Sequence, residues 1–347
     1  MTPSSEGSTS AGALIDELVD RLEPGADLVV PIANGEPVAL LDELEARADR
    51  LSGVNVHQMH VLHDRPYLHG VHRPHLQHVS WFLSPITRPL FRAGACEFAP
   101  ANFSEIPRFL ADRRPAAVLA AASPPDALGY FSLGVCADYT ASLIGRVPFL
   151  LEVNERMPRT YGTNRLHRSE VAGWCRADRD LVEVQSRTES AADRAIAEHV
   201  ADRVENGSTI QLGIGSIPAA VARQLVDHRD LGVHTELLSD PVLDLVEAGA
   251  VTGVNKRAYR GRIVTTFALG TQRLYDFCNE NDAVVFLSVH EVNDPRTIGR
   301  HPNFVSINGT LEVDLMGQAA SETLGSAYWS GSGGRPCSWV SSRPLRS

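Results

Sequence analysis

Two stretches of this chain follow the same plan, and that repetition limits the folds open to it more than any other feature. One, EPGADLVVPIANGEPVALLDELEARADRLSGVNVHQMH, begins at Glu23; the other, VENGSTIQLGIGSIPAAVARQLVDHRDLGVHTELLSD, begins at Val204. Each has a turn ending in Gly, a short β-rich run, a second Gly-containing turn with Pro, an amphipathic helix and another strand. The second turns are Gly35-Glu36-Pro37 and Gly215-Ser216-Ile217-Pro218. In the later copy Ala219, Ala220, Val221, Ala222 and Leu225 carry helical spacing, and Val233 and Leu237 resume a strand pattern. Two βαβ openings predict an α/β chain with two similar domains, each built on an open, mostly parallel sheet.

The length of 347 residues suits that division, because single hydrophobic cores stop growing near ~250–300 residues. The reading is a disordered tail over 1–11, one domain over 12–187, a second over 188–334 and a short tail over 335–347, with the junction at a polar helix over 188–203. AAVLAAA and DAVVFLSV are expected to be buried strands, set apart by turns at Ser123-Pro124-Pro125-Asp126 and Asn293-Asp294-Pro295. Pro218 falls just inside a helix start, where a missing N–H costs nothing, and Ser216 is the expected N-cap.

Composition narrows the function classes. The chain is 43% hydrophobic and 21% charged, values of a soluble globular protein, and no stretch approaches the ~20 apolar residues of a membrane helix. The opening MTPSSEGSTSAG lacks a basic flank and an apolar core, so a cytoplasmic location is expected. Cys96, Cys136, Cys175, Cys278 and Cys337 form no C-x-x-C pair, which argues against a zinc site or a disulfide framework. A net charge of −10 argues against non-specific nucleic-acid binding. Lys256 is the only lysine among 32 basic residues.

In TIQLGIGSIPAAV a strand runs into Gly213 and Gly215 and then into a helix, an arrangement that turns backbone N–H groups toward an anion. A plain strand-to-helix turn and a nicotinamide site are the alternatives. The nicotinamide fingerprint is incomplete, since Pro218 replaces the third glycine. Glu236, in VHTELLSD, falls at the C-terminal end of a strand, the edge where open α/β sheets hold ligands. Taken alone it reads equally as a surface glutamate or an ion-pair member.

Further motifs make a resemblance specific. QLGIGSIPAAV, LGVHTELLSD, GRIVTTFALGTQRLYDF, VNDPRTIGRHPNFVSINGTLEVDL and YWSGSGG, with FSEIPRFL, SPPDALGYFSLGV and LEVNERMPRTYG in the first half, resemble the acetyl-CoA hydrolase/transferase family, which includes butyrate-type and 4-hydroxybutyrate CoA-transferases. The likeness runs from about residue 12 to Gly334. It implies that the H-x-E glutamate, here Glu236, forms a glutamyl-CoA thioester. The implied reaction passes CoA between a short-chain acyl-CoA and an acetate-like carboxylate in ping-pong fashion, with no metal and no cofactor beyond CoA as substrate. It further implies that Gly213, Ile214, Gly215, Ser216 and Ile217 line the CoA site, and that Asn308, Gly331, Gly333 and Gly334 lie beside the thioester. Glu152, Asn154 and Arg159 are candidates for the active-site wall. The expected partners are an acyl-CoA and a small carboxylic acid, with neither nucleic acid nor membrane; homo-oligomerisation is left open.

Two departures stand out. Pro241 follows Ser239-Asp240 where the family has glycine, removing an N–H near Glu236. After Gly334 the tail RPCSWVSSRPLRS leaves the family pattern, so the second domain is expected to be incomplete, through truncation or a frameshift. An inactive CoA-binding remnant is therefore one alternative to transfer, and acyl-CoA hydrolysis is the other, since water in place of the acceptor acid would hydrolyse the same thioester. Seven of the thirteen histidines fall between His57 and His78; Pro66, Gly70 and Pro74 interrupt any single helical face, which favours a solvated or interface loop over a metal site.

Overall fold

A computed structural model describes residues 8–185, 188–213, 215–331 and 333 of the chain. The first half supplies strands β1 (Asp27–Val29), β2 (Val54–Gln58), β3 (Leu76–Ser80), β4 (Glu97–Phe98), β5 (Ala117–Ala122), β6 (Tyr130–Ser132), β7 (Phe149–Asn154), β8 (Tyr161–Gly162), β9 (Arg165–His167) and β10 (Gly173–Ala177). Seven of them form one sheet in the order β10-β7-β5-β1-β2-β3-β4, and every pairing in it is parallel. Strand β5, the AAVLAAA run, is buried at all six positions, as a central parallel strand covered on both faces must be. Strands β6 and β9 pair antiparallel beside this sheet. Helices α1 (Ala11–Val19), α2 (Val38–Glu45), α3 (Thr87–Arg92) and α4 (Ile106–Arg113) belong to the same half.

Helix α5 (Ala191–Ala201) leads into the second half. Ser190 accepts from Asp193 N–H while the Asp193 side chain accepts from Ser190 N–H, a capping box that explains why the helix starts there. Strands β11 (Thr209–Leu212), β12 (Gly232–Val233), β13 (Leu237–Leu238), β14 (Ile263–Thr265), β15 (Phe267–Ala268), β16 (Val284–Phe286) and β17 (Phe304–Ile307) follow, with helices α6 (Ser216–Gln224), α7 (Asp240–Glu247), α8 (Gln272–Cys278), α9 (Val289–Val292) and α10 (Pro295–Ile298). Parallel ladders run β12-β11-β17 and β14-β16-β8, and a parallel bridge from His234 to Val264 joins them. The two repeated stretches are therefore both βαβ units, with β1 beside β2 and β11 beside β12.

The halves are interlocked. Strand β8 belongs to the first half of the chain yet pairs with β16 of the second. One apolar cluster holds Val29, Phe103 and Phe131 together with Ile210, Phe267 and Phe286. Asp138, fully buried, accepts from Ile32 N–H at 2.9 Å through its carboxylate, and its backbone carbonyl accepts from Val289 N–H at 2.8 Å.

Several local expectations change. The N-cap of α6 is Gly215, and Ser216 is the first helical residue. Asn293-Asp294-Pro295 is the expected turn, set between α9 and α10, and Asp294 caps α10, accepting from Arg296 N–H at 3.1 Å. The histidine-rich stretch is not a solvated loop at its ends, since His57 lies in β2 and His78 in β3 and both are fully buried. Sheet alternation and burial, which the three-residue histidine spacing hides, decide their place. Among the described residues no group of three or more His, Cys, Asp or Glu side chains is placed to hold a metal ion, and no helix is long and apolar enough to cross a membrane.

Candidate active site

Glu236 sits where the chain bends between β12 and β13. Its backbone carbonyl accepts from Thr266 N–H at 3.1 Å, Phe267 N–H at 3.3 Å and the Thr265 hydroxyl at 3.1 Å. Thr235 N–H donates to Val264 carbonyl at 2.9 Å, and its hydroxyl bridges toward Leu212, accepting from Leu212 N–H at 3.3 Å. The bend is thus fastened to β11 and β14 on either side. The Glu236 carboxylate, half-buried, accepts from the Asn293 side-chain amide at 2.7 Å, and Asn293 is itself buried. Nothing in the reading of the sequence assigned Asn293 a site role; its place in VNDPRTIGR was the available signal.

The glycine turn lies close by in the fold. Gly213 N–H donates to Ile307 carbonyl at 2.8 Å, and a Cβ at Gly213 would lie 2.4 Å from Asn308 Oδ1. Glycine leaves room here for the Asn308 side chain to lie against the Gly213 backbone. Asn308 is held by Gln211, donating to its Oε1 at 2.9 Å. Gly215, with φ +129°, sets the entry of α6. Gly213, Gly215 and Ser216 line a cavity of about 600 Å³, together with Leu237, Ser239 and Pro241 from the second half and His60, Leu62 and Ile86 from the first. Ile217 is half-buried against the core and Ile214 is outside the described residues. Glu236 does not line this cavity, although its neighbour Leu237 does.

The first copy of the turn has the opposite character. There Glu36, 1% exposed, fills the space with its carboxylate, which accepts from Gln58 at 2.8 Å and Leu62 N–H at 2.9 Å and meets His63. One glycine turn is plugged by its own side chain; the other opens on a cavity.

The glycine-rich segment before the end of the chain docks on the first half. Arg88 stacks on the Trp329 ring at 4.0 Å, Gly331 packs over Trp81 and Phe82, and Gly333 carbonyl accepts from Phe103 N–H at 3.0 Å. The Phe103 and Phe267 rings meet at 6.5 Å, and Phe267 N–H donates to the Glu236 backbone carbonyl at 3.3 Å, so two residues, Phe103 and Phe267, link the loop to the backbone of the bend. Gly334 is outside the described residues. Pro241 occupies the first turn of α7, where its missing N–H has no intrahelical acceptor to lose.

Glu152, Asn154 and Arg159 have structural partners. Buried Glu152 accepts from Ala39 N–H at the start of α2 at 2.5 Å and pairs with Arg179 at 2.8 Å. Asn154 donates to Arg179 carbonyl at 2.9 Å. Arg159 donates to the carbonyls of Tyr130 at 3.1 Å and Pro124 at 2.5 Å.

Behind the bend lies Lys256, 2% exposed. Its ammonium donates to the carbonyls of Val233 at 2.6 Å and Arg262 at 2.7 Å, and burial pulls its pKa down to about 7. Burial, with Lys256 adding to it, also lowers His234 to about 3.

Comparison with known proteins agrees with this architecture. Residues 13–182 match the acetyl-CoA hydrolase/transferase N-terminal domain and residues 270–336 the C-terminal domain of that name. The succinyl-CoA:cyclohexane-1-carboxylate CoA transferase of Geobacter metallireducens is 40% identical over 90% of this chain and 72% of its own length. The 4-hydroxybutyrate coenzyme A transferase of Clostridium kluyveri is 37% identical over 92% of this chain and 75% of its own. The crystal structure of RipA from Yersinia pestis superposes with a TM-score of 0.86 at 34% identity, covering 91% of this chain and 76% of that one. With both family domains matched and these relatives covered over more than two thirds of their length, the chain belongs to the acetyl-CoA hydrolase/transferase family.

Proposed function

We propose that the chain transfers CoA between a short-chain acyl-CoA and a small, acetate-like carboxylate, with Glu236 as the nucleophile. The observation that carries this reading is the Glu236 carboxylate itself, set on a fastened bend and oriented by the Asn293 amide at 2.7 Å. Glu236 attacks the acyl-CoA carbonyl, and CoA leaves as the thiolate, giving a mixed anhydride. The thiolate then attacks the glutamyl carbonyl of that anhydride, which releases the acyl group as a free acid and leaves a glutamyl-CoA thioester. A second carboxylate attacks the thioester and displaces CoA; the thiolate then attacks the new acyl carbonyl and frees Glu236. Protons and electrons balance without any further group, so no cofactor is proposed beyond CoA as substrate.

Each step builds negative charge on a carbonyl oxygen, and N–H groups of the Gly331–Gly334 segment are the proposed donors to it. The open turn at Gly213 and Gly215, with its cavity, is the proposed seat for part of the CoA substrate. The test is mass spectrometry after incubation with butyryl-CoA and mild borohydride, beside an exchange assay with labelled acetate. Modification of Glu236 with exchange is the expected result, and Glu236→Gln abolishes both. Free CoA released without exchange would make the chain a hydrolase, and a folded, unmodified protein would make it a non-catalytic CoA binder.

A further inference from the structure

Helix α9 is a single turn, and the carbonyls at the end of so short a helix have no intrahelical donor. The carbonyl of Val292, its last residue, is met by His234 Nε2 at 2.7 Å. The next residue is Asn293, whose side chain holds the Glu236 carboxylate. The first and third residues of the H-x-E motif therefore grip two consecutive residues of one opposing segment. One peptide unit separates the Val292 carbonyl from the Asn293 side chain, so a shift of the first moves the second.

We propose that His234 is a positioning residue: through the Val292 carbonyl it fixes Asn293, and through Asn293 it sets the Glu236 carboxylate for attack. The proposal rests on the reading of Glu236 as nucleophile.

His234 is built to do this. Its N–H donates to Ile210 carbonyl at 3.1 Å, and its backbone bridges to Val264. Its ring, 1% exposed, lies 5.1 Å from His301 and meets Phe304 edge-on at 6.5 Å, so the plane is set by packing. A nitrogen facing a carbonyl must carry the proton, which puts hydrogen on Nε2 and leaves Nδ1 as the unprotonated nitrogen, with no hydrogen-bond partner among the described residues. Burial, reinforced by the Lys256 ammonium, keeps the ring neutral at physiological pH. A neutral donor holds the carbonyl without adding charge beside a carboxylate that must remain nucleophilic.

The test is a double-mutant cycle on the rate of glutamyl-CoA formation, read by quenched-flow mass spectrometry in wild type, His234→Leu, Asn293→Ala and the double variant. His234→Leu is expected to slow thioester formation roughly 10- to 100-fold, as small displacements of reacting groups do. The double variant is expected to be no slower than Asn293→Ala. His234→Gln, whose amide can donate to the same carbonyl, is expected to recover part of the rate. Losses that multiply in the double variant, or an unchanged rate in His234→Leu, overturn the relay while wild-type labelling still stands. No adduct on wild-type Glu236 overturns the nucleophile reading and the relay with it. Should His234→Leu fail to fold, nitrogen NMR of the wild-type ring decides: hydrogen on Nε2 supports the relay, and hydrogen on Nδ1 overturns it.

Discussion

In the proposed reaction the Glu236 carboxylate must be aimed without being neutralised, and Asn293 offers direction while contributing no charge. Lys256, whose ammonium donates to the Val233 carbonyl, carries a charge that its environment disfavours. Burial lowers its pKa from 10.5 to about 7, so between those values the folded chain binds fewer protons than the unfolded one. This residue's contribution to stability therefore rises with pH from about 7 and levels off near 10.5. Unfolding free energies of the wild type and Lys256→Met, from urea denaturation, are expected to shift in favour of the wild type across that range, by at most roughly 5 kcal/mol. A difference that does not change with pH would mean that the ammonium is not held in a desolvated site.

At the scale of elements, the turn from β11 into α6 depends on an absent side chain. A methyl group at Gly213 would sit 2.4 Å from Asn308 Oδ1, and Asn308 is tied to Gln211 and Ser306. Gly213→Ala is expected to lower stability by about 1–3 kcal/mol through forced displacement of that network, measured by urea denaturation, and Asn308→Gly in the same chain is expected to restore part of the loss. Both βαβ units were legible in the sequence, because helical and strand periods change over at a glycine turn in each. The buried runs in β5 and β16 were equally plain. Strands β8 and β15 were not, since two residues are too few to show a period. For the same reason the sequence marked Glu236 through its motif but passed over Asn293, whose relevance comes only from α9 folding back across β12. The contrast between the plugged turn at Glu36 and the open one at Gly215 was hidden too, because both read as glycine beside proline.

Over the whole molecule, the two halves share one apolar core and one cavity, and a strand of the first completes a ladder of the second. The glycine-rich segment leaves the second half and docks on Trp81, Phe82 and Phe103 of the first, so its position depends on both. Such interdependence predicts that the chain opens cooperatively, and the burial of Lys256 gives a way to watch it. With one lysine in the chain, a lysine-specific protease has a single target, which would leave fragments of 256 and 91 residues. That target is shielded beneath β12 in the native state. Cleavage is expected to be slow in buffer and to accelerate with urea in parallel with the loss of circular dichroism; rapid cutting of a chain with full native signal would show that this region opens on its own. The same burial makes amine-directed coupling at Lys256 a reporter of folding, because in the folded protein this side chain is shielded from a label, a surface tether or a cross-linker.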